Sequence, residues 1–164
     1  MRMSDRPTVE ADIFIAAPAD RVWELVTDLN AVGQWSPEYQ GGEWIDGATG
    51  PAVGACFTGR NKREEREWES TSTVIEANPG QSFAWAVGNP DHAAATWRFD
   101  LTPEGEGTRV RQHVEIGPGP SGLTAVIEKI PDREEDIVAN RVAEHRRNMQ
   151  ATLDGLKASA EQGS

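Results

Sequence analysis

The imidazole of His145 is the polar group of this sequence best placed to do chemistry, because it interrupts an apolar pattern of helical period. At about 100° per residue it falls near the centre of one helix stripe, whose other members are Val138, Val142, Met149 and Leu153. A neutral imidazole there could orient a carbonyl or hydroxyl group of a ligand, or act as a general base. The simpler interpretation is a core histidine bonded to a strand side chain or to water. The sequence leaves both open.

The same position predicts the protonation state of His145. Burial disfavours the charged form of an imidazole, so its pKa should fall below the ordinary value of about 6.5. Only a carboxylate inside the protein would oppose this shift, and none of the strand faces that we assign to the interior carries one. We therefore expect a neutral imidazole.

Two further polar residues should face the interior, because strand side chains alternate between the two faces of a sheet. Asn61 continues the alternation that begins at Phe57, and Gln112 lies between Val110 and Val114 at the same period. The apolar residues on these strand faces must pack against the helix that carries His145. Asn61 and Gln112 lie on the same faces, so their amides should also point toward that helix. We expect Asn61 and Gln112 to be either satisfied core groups or contacts to a ligand.

Aromatic residues dominate the apolar side chains of this interior, in a chain with six Trp, four Phe and one Tyr. The patterns place the following side chains with the polar candidates: Trp35, Phe57, Trp85, Trp97, Phe99 and, on the helix, Met149. Side chains of this size can fill a core or form the wall of a pocket. We predict that they line a ligand cavity together with His145, Asn61 and Gln112.

No motif for metal or cofactor chemistry is present. His92, His113 and His145 lack ligand spacing, and H-E-x-x-H, C-x-x-C and G-x-S-x-G are all missing, so we expect neither a metal nor a cofactor. Residues 117–122 read G-P-G-P-S-G, which formally matches G-x-G-x-x-G. Two prolines remove donors that would cradle phosphates, and too little chain follows for a βαβ unit. A rigid connector is the better interpretation.

The elements that must position these residues can be predicted in chain order. Alternation indicates a strand at 8–16, and helical periods follow from Pro18 to Leu29 and over 30–35. Six further strands are expected at 38–45, 55–61, 68–77, 81–88, 94–102 and 108–116. A short helix should follow at 123–130, and a long one at 132–160. The charged hairpin end at 62–67 is most simply a solvated turn.

Composition limits the classes of partner. The 164 residues fit one domain, for which we expect frayed ends at 1–7 and 159–164. A net charge of −11 disfavours nucleic acid and anionic membrane surfaces. There is no run of about 18 apolar residues for membrane insertion. The single Cys56 and the polar start of the chain predict a cytoplasmic protein.

Short motifs follow one another along almost the whole chain. They are A-P-A-D-R-V-W at 17–23, V-T-D-L at 26–29, Q-W-S-P-E at 34–38, G-A-C-F-T-G-R-N at 54–61, F-A-W at 83–85, G-T-R-V at 107–110 and N-M at 148–149. In this order they resemble the SRPBCC superfamily, whose members are START-like or pollen-allergen-like. The resemblance is strongest to its bacterial polyketide cyclase/dehydrase and lipid-transport-like branch.

The resemblance implies an α+β helix-grip fold. In this fold a curved antiparallel sheet of six or seven strands wraps around a long C-terminal helix, and two short helices follow the first strand. It also implies a deep apolar cavity between sheet and helix. The function expected from it is binding of a small hydrophobic molecule of aromatic or polycyclic character. A homodimer stays open.

Two other functions remain as alternatives, since the family does not share one chemistry. An aromatase/cyclase acting on a polyketide-like substrate would use His145 as its candidate catalytic base. The tyrosine and arginine groups that the resemblance implies for such cyclases are scarce, because Tyr39 is the only tyrosine and no arginine falls clearly on an inward strand face. The third hypothesis is a protein-interaction module with a filled cavity.

Overall fold

The computed structural model describes residues 1–162, and in this part of the chain it shows one antiparallel sheet and four α-helices. The strands are β1 (Thr8–Ile15), β2 (Tyr39–Ile45), β3 (Cys56–Arg63), β4 (Arg66–Asn78), β5 (Ser82–Val87), β6 (Ala95–Glu104) and β7 (Gly107–Ile116). The helices are α1 (Ala19–Val26), α2 (Leu29–Trp35), α3 (Gly122–Lys129) and α4 (Glu134–Gln162).

The sheet has seven strands in the order β1-β7-β6-β5-β4-β3-β2. Strands β2 to β7 pair in chain order, with short turns after β3, β4 and β6 and longer loops after β2 and β5, and β1 completes the sheet beside β7. Helices α1 and α2 connect β1 at one edge with β2 at the other. The sheet is curved and carries the long C-terminal helix, so the predicted α+β helix-grip fold is confirmed.

The core lies between the inner face of the sheet and the apolar stripe of α4. Val138, Leu153 and Leu156 have no exposed surface, and Met149 is 1% exposed. On the sheet, alternate residues such as Phe99 are equally buried, as the period of two predicts. No helix within residues 1–162 is long and apolar enough to cross a bilayer.

The outer face of the sheet carries ion pairs, as its charged alternation predicts. Arg98 contacts Asp100 and Glu76, both at 2.9 Å, and Arg111 contacts Glu10 on β1. Pairs that remain in contact with water contribute under about 1 kcal/mol each. They influence strand register more than stability.

Both chain ends differ from the expectation of fraying. The Met3 amide donates to the Glu134 carboxylate at 2.9 Å, within a 3-10 turn over Met3–Asp5. Helix α4 continues to Gln162, and the Glu161 carboxylate accepts from the Ala16 amide at 2.8 Å. These contacts join segments far apart in sequence, which a local pattern does not reveal. Residues 163–164 of the expected tail lie outside the described part.

Helix α2 approaches α4 at Gly155 too closely for any side chain there. A Cβ atom added to Gly155 would lie 2.5 Å from Cγ of Trp35 and 2.6 Å from its Cβ. Glycine inside a helix costs about 1 kcal/mol relative to alanine. The close packing of Trp35 explains why glycine occupies this position.

We expect Gly155→Ala to lower the free energy of unfolding by about 1–3 kcal/mol, because the new methyl group overlaps the Trp35 ring. Helix propensity alone predicts the opposite, a gain of about 1 kcal/mol. Urea unfolding followed by far-UV circular dichroism measures the difference. Ala158→Gly, at an exposed position of the same helix, is the control and should lose about 1 kcal/mol from propensity alone. A stabilised Gly155→Ala protein would contradict the close contact.

Candidate ligand-binding site

A cavity of about 680 Å³ lies between the inner face of the sheet and α4. Strands β3 to β7 supply one wall and α4 the other, since each buries its apolar side here. The volume falls within the roughly 300–1,000 Å³ that is usual for small-molecule sites. The predicted cavity is therefore present, and Trp85 and Trp97 belong to its lining.

A stacked pair of indoles forms the aromatic wall. Trp85 on β5 and Trp97 on β6 are directly opposite in the strand register. Their ring centroids are 6.5 Å apart and their planes differ by 11°. Phe57 meets Trp85 edge to face at 6.1 Å and extends the wall onto β3. A flat aromatic wall of this kind suits a flat apolar ligand.

His145 faces this wall from α4. It is 7% exposed, and its ring meets Trp97 edge to face with centroids 5.2 Å apart. Burial lowers the pKa of His145 to about 3, and the positive charge of Arg141 acts in the same direction, against Glu144. Within residues 1–162 its imidazole makes no hydrogen bond. The expected neutral imidazole is confirmed, and its ring nitrogens are available to a ligand.

Three buried polar atoms of the cavity lining also lack a partner in the described part of the chain. They are the Oε1 atom of Gln112, the hydroxyl of Tyr39 and the hydroxyl of Ser121. Gln112 is 6% exposed. Leaving such a group unsatisfied costs about 1–3 kcal/mol, so buried polar groups are normally bonded. The three atoms belong to lining residues but are themselves fully buried, so a ligand can bond to them only if the side chain rotates toward the cavity.

Tyr39 also belongs to the cavity lining, although it was not among the residues predicted from the sequence. Its ring lies against two facing glycines: a Cβ on Gly42 would be 3.0 Å from the Tyr39 hydroxyl, and one on Gly59 3.0 Å from its Cε1. Burial raises the pKa of Tyr39, while Arg60 lowers it and Asp28 raises it, so the hydroxyl stays protonated and can donate. The facing glycines beside the single tyrosine were the available signal.

The exposed residues of the lining, among them Arg63, Arg66, Val126 and Asn140, mark the mouth of the cavity. The predicted solvated hairpin end at 62–67 agrees with the structure, in which all six residues are exposed, but Arg63 and Arg66 also contribute to the cavity lining. Strands β3 and β4 continue to Arg63 and Arg66, so the inward alternation of Phe57 extends to the hairpin tip. Their side chains therefore border both the solvent and the cavity.

A chain of ion pairs connects the mouth with α4. Arg141 donates to both carboxylate oxygens of Glu38, at 2.7 and 2.8 Å, and contacts Glu144. Arg63 Nε in turn donates to Glu144 at 2.8 Å. Arg141 and Glu38 are largely buried, so this pair is bidentate and shielded from water. It holds the start of β2 and the β3–β4 hairpin against α4.

Eight of the nine predicted ligand-binding residues line the cavity: Phe57, Asn61, Trp85, Trp97, Phe99, Gln112, His145 and Met149. Asn61 also donates to the Ser70 hydroxyl at 3.3 Å. Trp35 was placed wrongly, because its ring packs on Gly155 and into the core. Contact of the eight with a ligand stays a prediction.

Residues 6–161 match the sequence model of a family described as polyketide cyclase/dehydrase and lipid transport. The chain belongs to this family. The solution NMR structure of the polyketide-cyclase-like protein Cgl2372 from Corynebacterium glutamicum is 36% identical, with 94% of this chain and 91% of that chain covered and a TM-score of 0.66. Curated proteins yield no significant match.

Two more distant structures share the fold of this polyketide cyclase/dehydrase family member. TTHA0849 from Thermus thermophilus is 20% identical, with 96% of this chain and 99% of that chain covered and a TM-score of 0.66. The di-domain ARO/CYC StfQ from the steffimycin biosynthetic pathway is 17% identical with a TM-score of 0.71. The match covers 98% of this chain but 53% of StfQ. At these identities the likeness shows the fold alone.

The low pKa of His145 predicts a pH-dependent stability. The folded value is about 3 and the ordinary value 6.5, so between them the unfolded chain binds the proton more strongly. Stability is complete above the ordinary value and falls as the pH drops toward the folded value. At about pH 4.5 the loss should reach about 2–3 kcal/mol relative to neutral pH. His145→Gln should remove this part of the pH dependence.

Urea unfolding at neutral and mildly acidic pH, on both proteins, measures the difference. His92→Gln removes an exposed histidine outside the cavity and is the matched control. An imidazole NMR signal of His145 that titrates near the ordinary value would contradict the burial argument.

Proposed function

We propose that this protein binds a small apolar ligand of aromatic or polycyclic character in the cavity between the sheet and α4. The observation that carries the proposal is the stacked pair Trp85 and Trp97 on the wall of a cavity of about 680 Å³. A cavity of this size also argues against an interaction module, which required a filled interior. The family description, which includes lipid transport, is compatible with a binder.

The unpartnered polar groups add a requirement for the ligand. Neutral His145 and the amide of Gln112 lie in the cavity lining beside the aromatic wall, and the protonated hydroxyl of Tyr39 is buried at its edge. An entirely hydrocarbon ligand would leave these groups unsatisfied at about 1–3 kcal/mol each. A ligand with a carbonyl or hydroxyl group on its inserted part would bond to them. We therefore expect an oxygenated ring system.

Binding can be tested with 1-pyrenebutanol, a neutral polyaromatic alcohol. It should quench the tryptophan fluorescence with saturation, because Trp85 and Trp97 lie on the cavity wall. Trp97→Leu should weaken binding by about 1 kcal/mol, the usual contribution of an aromatic contact beyond its buried area. Trp44→Phe alters an indole outside the lining and should leave the affinity unchanged. Quenching without saturation would contradict the proposal.

A second candidate function, aromatase/cyclase activity, gains support from the side chains that the structure adds to the lining. Sequence analysis counted tyrosine and arginine groups as scarce, yet Tyr39, Arg63, Arg66 and Arg141 all line the cavity. His145 would take a proton from the acidic carbon between two ketones, and a donor such as Tyr39 would bond to the enolate oxygen that forms. The ARO/CYC designation of StfQ belongs to that protein, and its likeness here is one of fold.

The low pKa of His145 favours the binding candidate. A general base works best when its pKa is near the operating pH. Charging an imidazole whose pKa is about 3 rather than 6.5 costs about 5 kcal/mol more at this site. Unless a ligand supplies a compensating negative charge, His145 is a better hydrogen-bonding group than a base. Binding is therefore the function that we propose first.

The variant His145→Gln separates the two functions. For a binder the affinity for 1-pyrenebutanol should stay within about threefold, because an amide replaces one hydrogen bond. For a cyclase the affinity should persist while turnover of a poly-β-ketone analogue falls by about 10² or more. Met149→Leu, a change of similar volume in the same lining, is the control. Turnover that falls in this way would replace the binding proposal with the catalytic one.

A further inference from the structure

We propose that the ligand of this cavity is an acid, and that Arg66 at the mouth binds its carboxylate. The inference rests on the proposed binding function and adds a charged group to the ligand. It comes from an arginine pair that the aromatic cavity alone does not explain.

Arg63 and Arg66 face each other across the tip of the β3–β4 hairpin. They are directly paired in the strand register, and both line the cavity. Like charges opposite each other on neighbouring strands destabilise a sheet. Glu144 on α4 neutralises Arg63, whose Nε atom lies 2.8 and 2.9 Å from its two carboxylate oxygens. The charge of Arg66 is not neutralised in this way.

Arg66 has neither an ion pair nor a side-chain hydrogen bond within residues 1–162. Its guanidinium carbon lies 5.2 Å from the centroid of the Trp68 ring, a cation–π distance. The group also rests against Gly122, where a Cβ would lie 3.1 Å from both terminal nitrogens. The guanidinium is thus oriented by two neighbours, and no protein group within residues 1–162 accepts from its donors. Such a planar fork matches a carboxylate.

The other charged residues of the lining support a single negative charge on the ligand. Arg141 is bonded to Glu38 and contacts Glu144, so its charge is already balanced. Glu69 also lines the cavity, and the protein has a net charge of −11. These acidic surroundings repel a dianion such as a phosphate monoester more than a carboxylate. The ligand class is therefore an apolar monocarboxylic acid with its ring system inside.

Two pyrene probes with the same ring and chain length, one ending in a carboxylate and the other in a neutral hydroxyl, test this inference. The wild-type protein should bind 1-pyrenebutyric acid about tenfold more tightly than 1-pyrenebutanol, the gain expected from a charge-assisted hydrogen bond. Arg66→Gln should remove that preference and leave the affinity for the alcohol unchanged. Added salt should reduce the preference of the wild type, because the mouth is exposed. Tryptophan quenching gives each dissociation constant.

Arg147→Gln is the matched control, since it changes the net charge equally at an exposed position of α4 outside the lining. It should keep the preference for the acid. Equal binding of acid and alcohol by the wild type would overturn the inference and leave the proposed function intact. The same holds if Arg147→Gln loses the preference as fully as Arg66→Gln. If neither probe binds, the proposed function and the inference are both wrong.

Discussion

The packing of α4 against the curved sheet is the interaction on which the rest of the structure depends. Its C-terminal half, with Leu153, Leu156 and Ala160, belongs to a solid core shared with β1 and α1. Lys157 fixes this half further by donating to the carbonyl oxygen of Phe14 at 2.9 Å. Toward the N-terminus of α4 the same apolar stripe includes Met149 and His145, and there a cavity separates the helix from the sheet. One helix face therefore provides both stability and a site.

The unsatisfied polar groups of the cavity lower the stability of the folded protein, and the packing of the apolar core offsets this cost. Gln112 and His145 are more than nine-tenths buried, and neither side chain bonds to another described residue. A solid apolar core would exclude them, since each buried unpartnered group costs about 1–3 kcal/mol. Gln112 lies on the sheet beside the stacked indoles and His145 lies opposite on α4, so the two groups border the same cavity. A ligand that bonds to them would also stabilise the fold.

Charge at the mouth is organised separately from the apolar interior. The bonded groups Glu38, Arg141, Glu144 and Arg63 balance one another and hold three elements together. Buried pairs of this kind add little net stability, because desolvation opposes the attraction. Their effect is to define where the cavity opens. Arg66 lies beside this balanced group without an acidic partner among residues 1–162, and so differs from Arg63 and Arg141.

The sequence by itself determined the order of elements, the inward faces of the strands and the stripe of α4, because periods of two and 3.6 are local properties. Gln112, Trp97 and His145 were placed correctly for this reason. Only the tertiary structure decided the positions of Tyr39, Arg66 and Trp35. A bulge after Tyr39 breaks the alternation, and the pairing of β3 with β4 brings Arg66 at the hairpin tip to the edge of the cavity. The position of the Trp35 ring depends on how closely α2 approaches Gly155. These two segments are remote in sequence, so no local pattern encodes the distance between them.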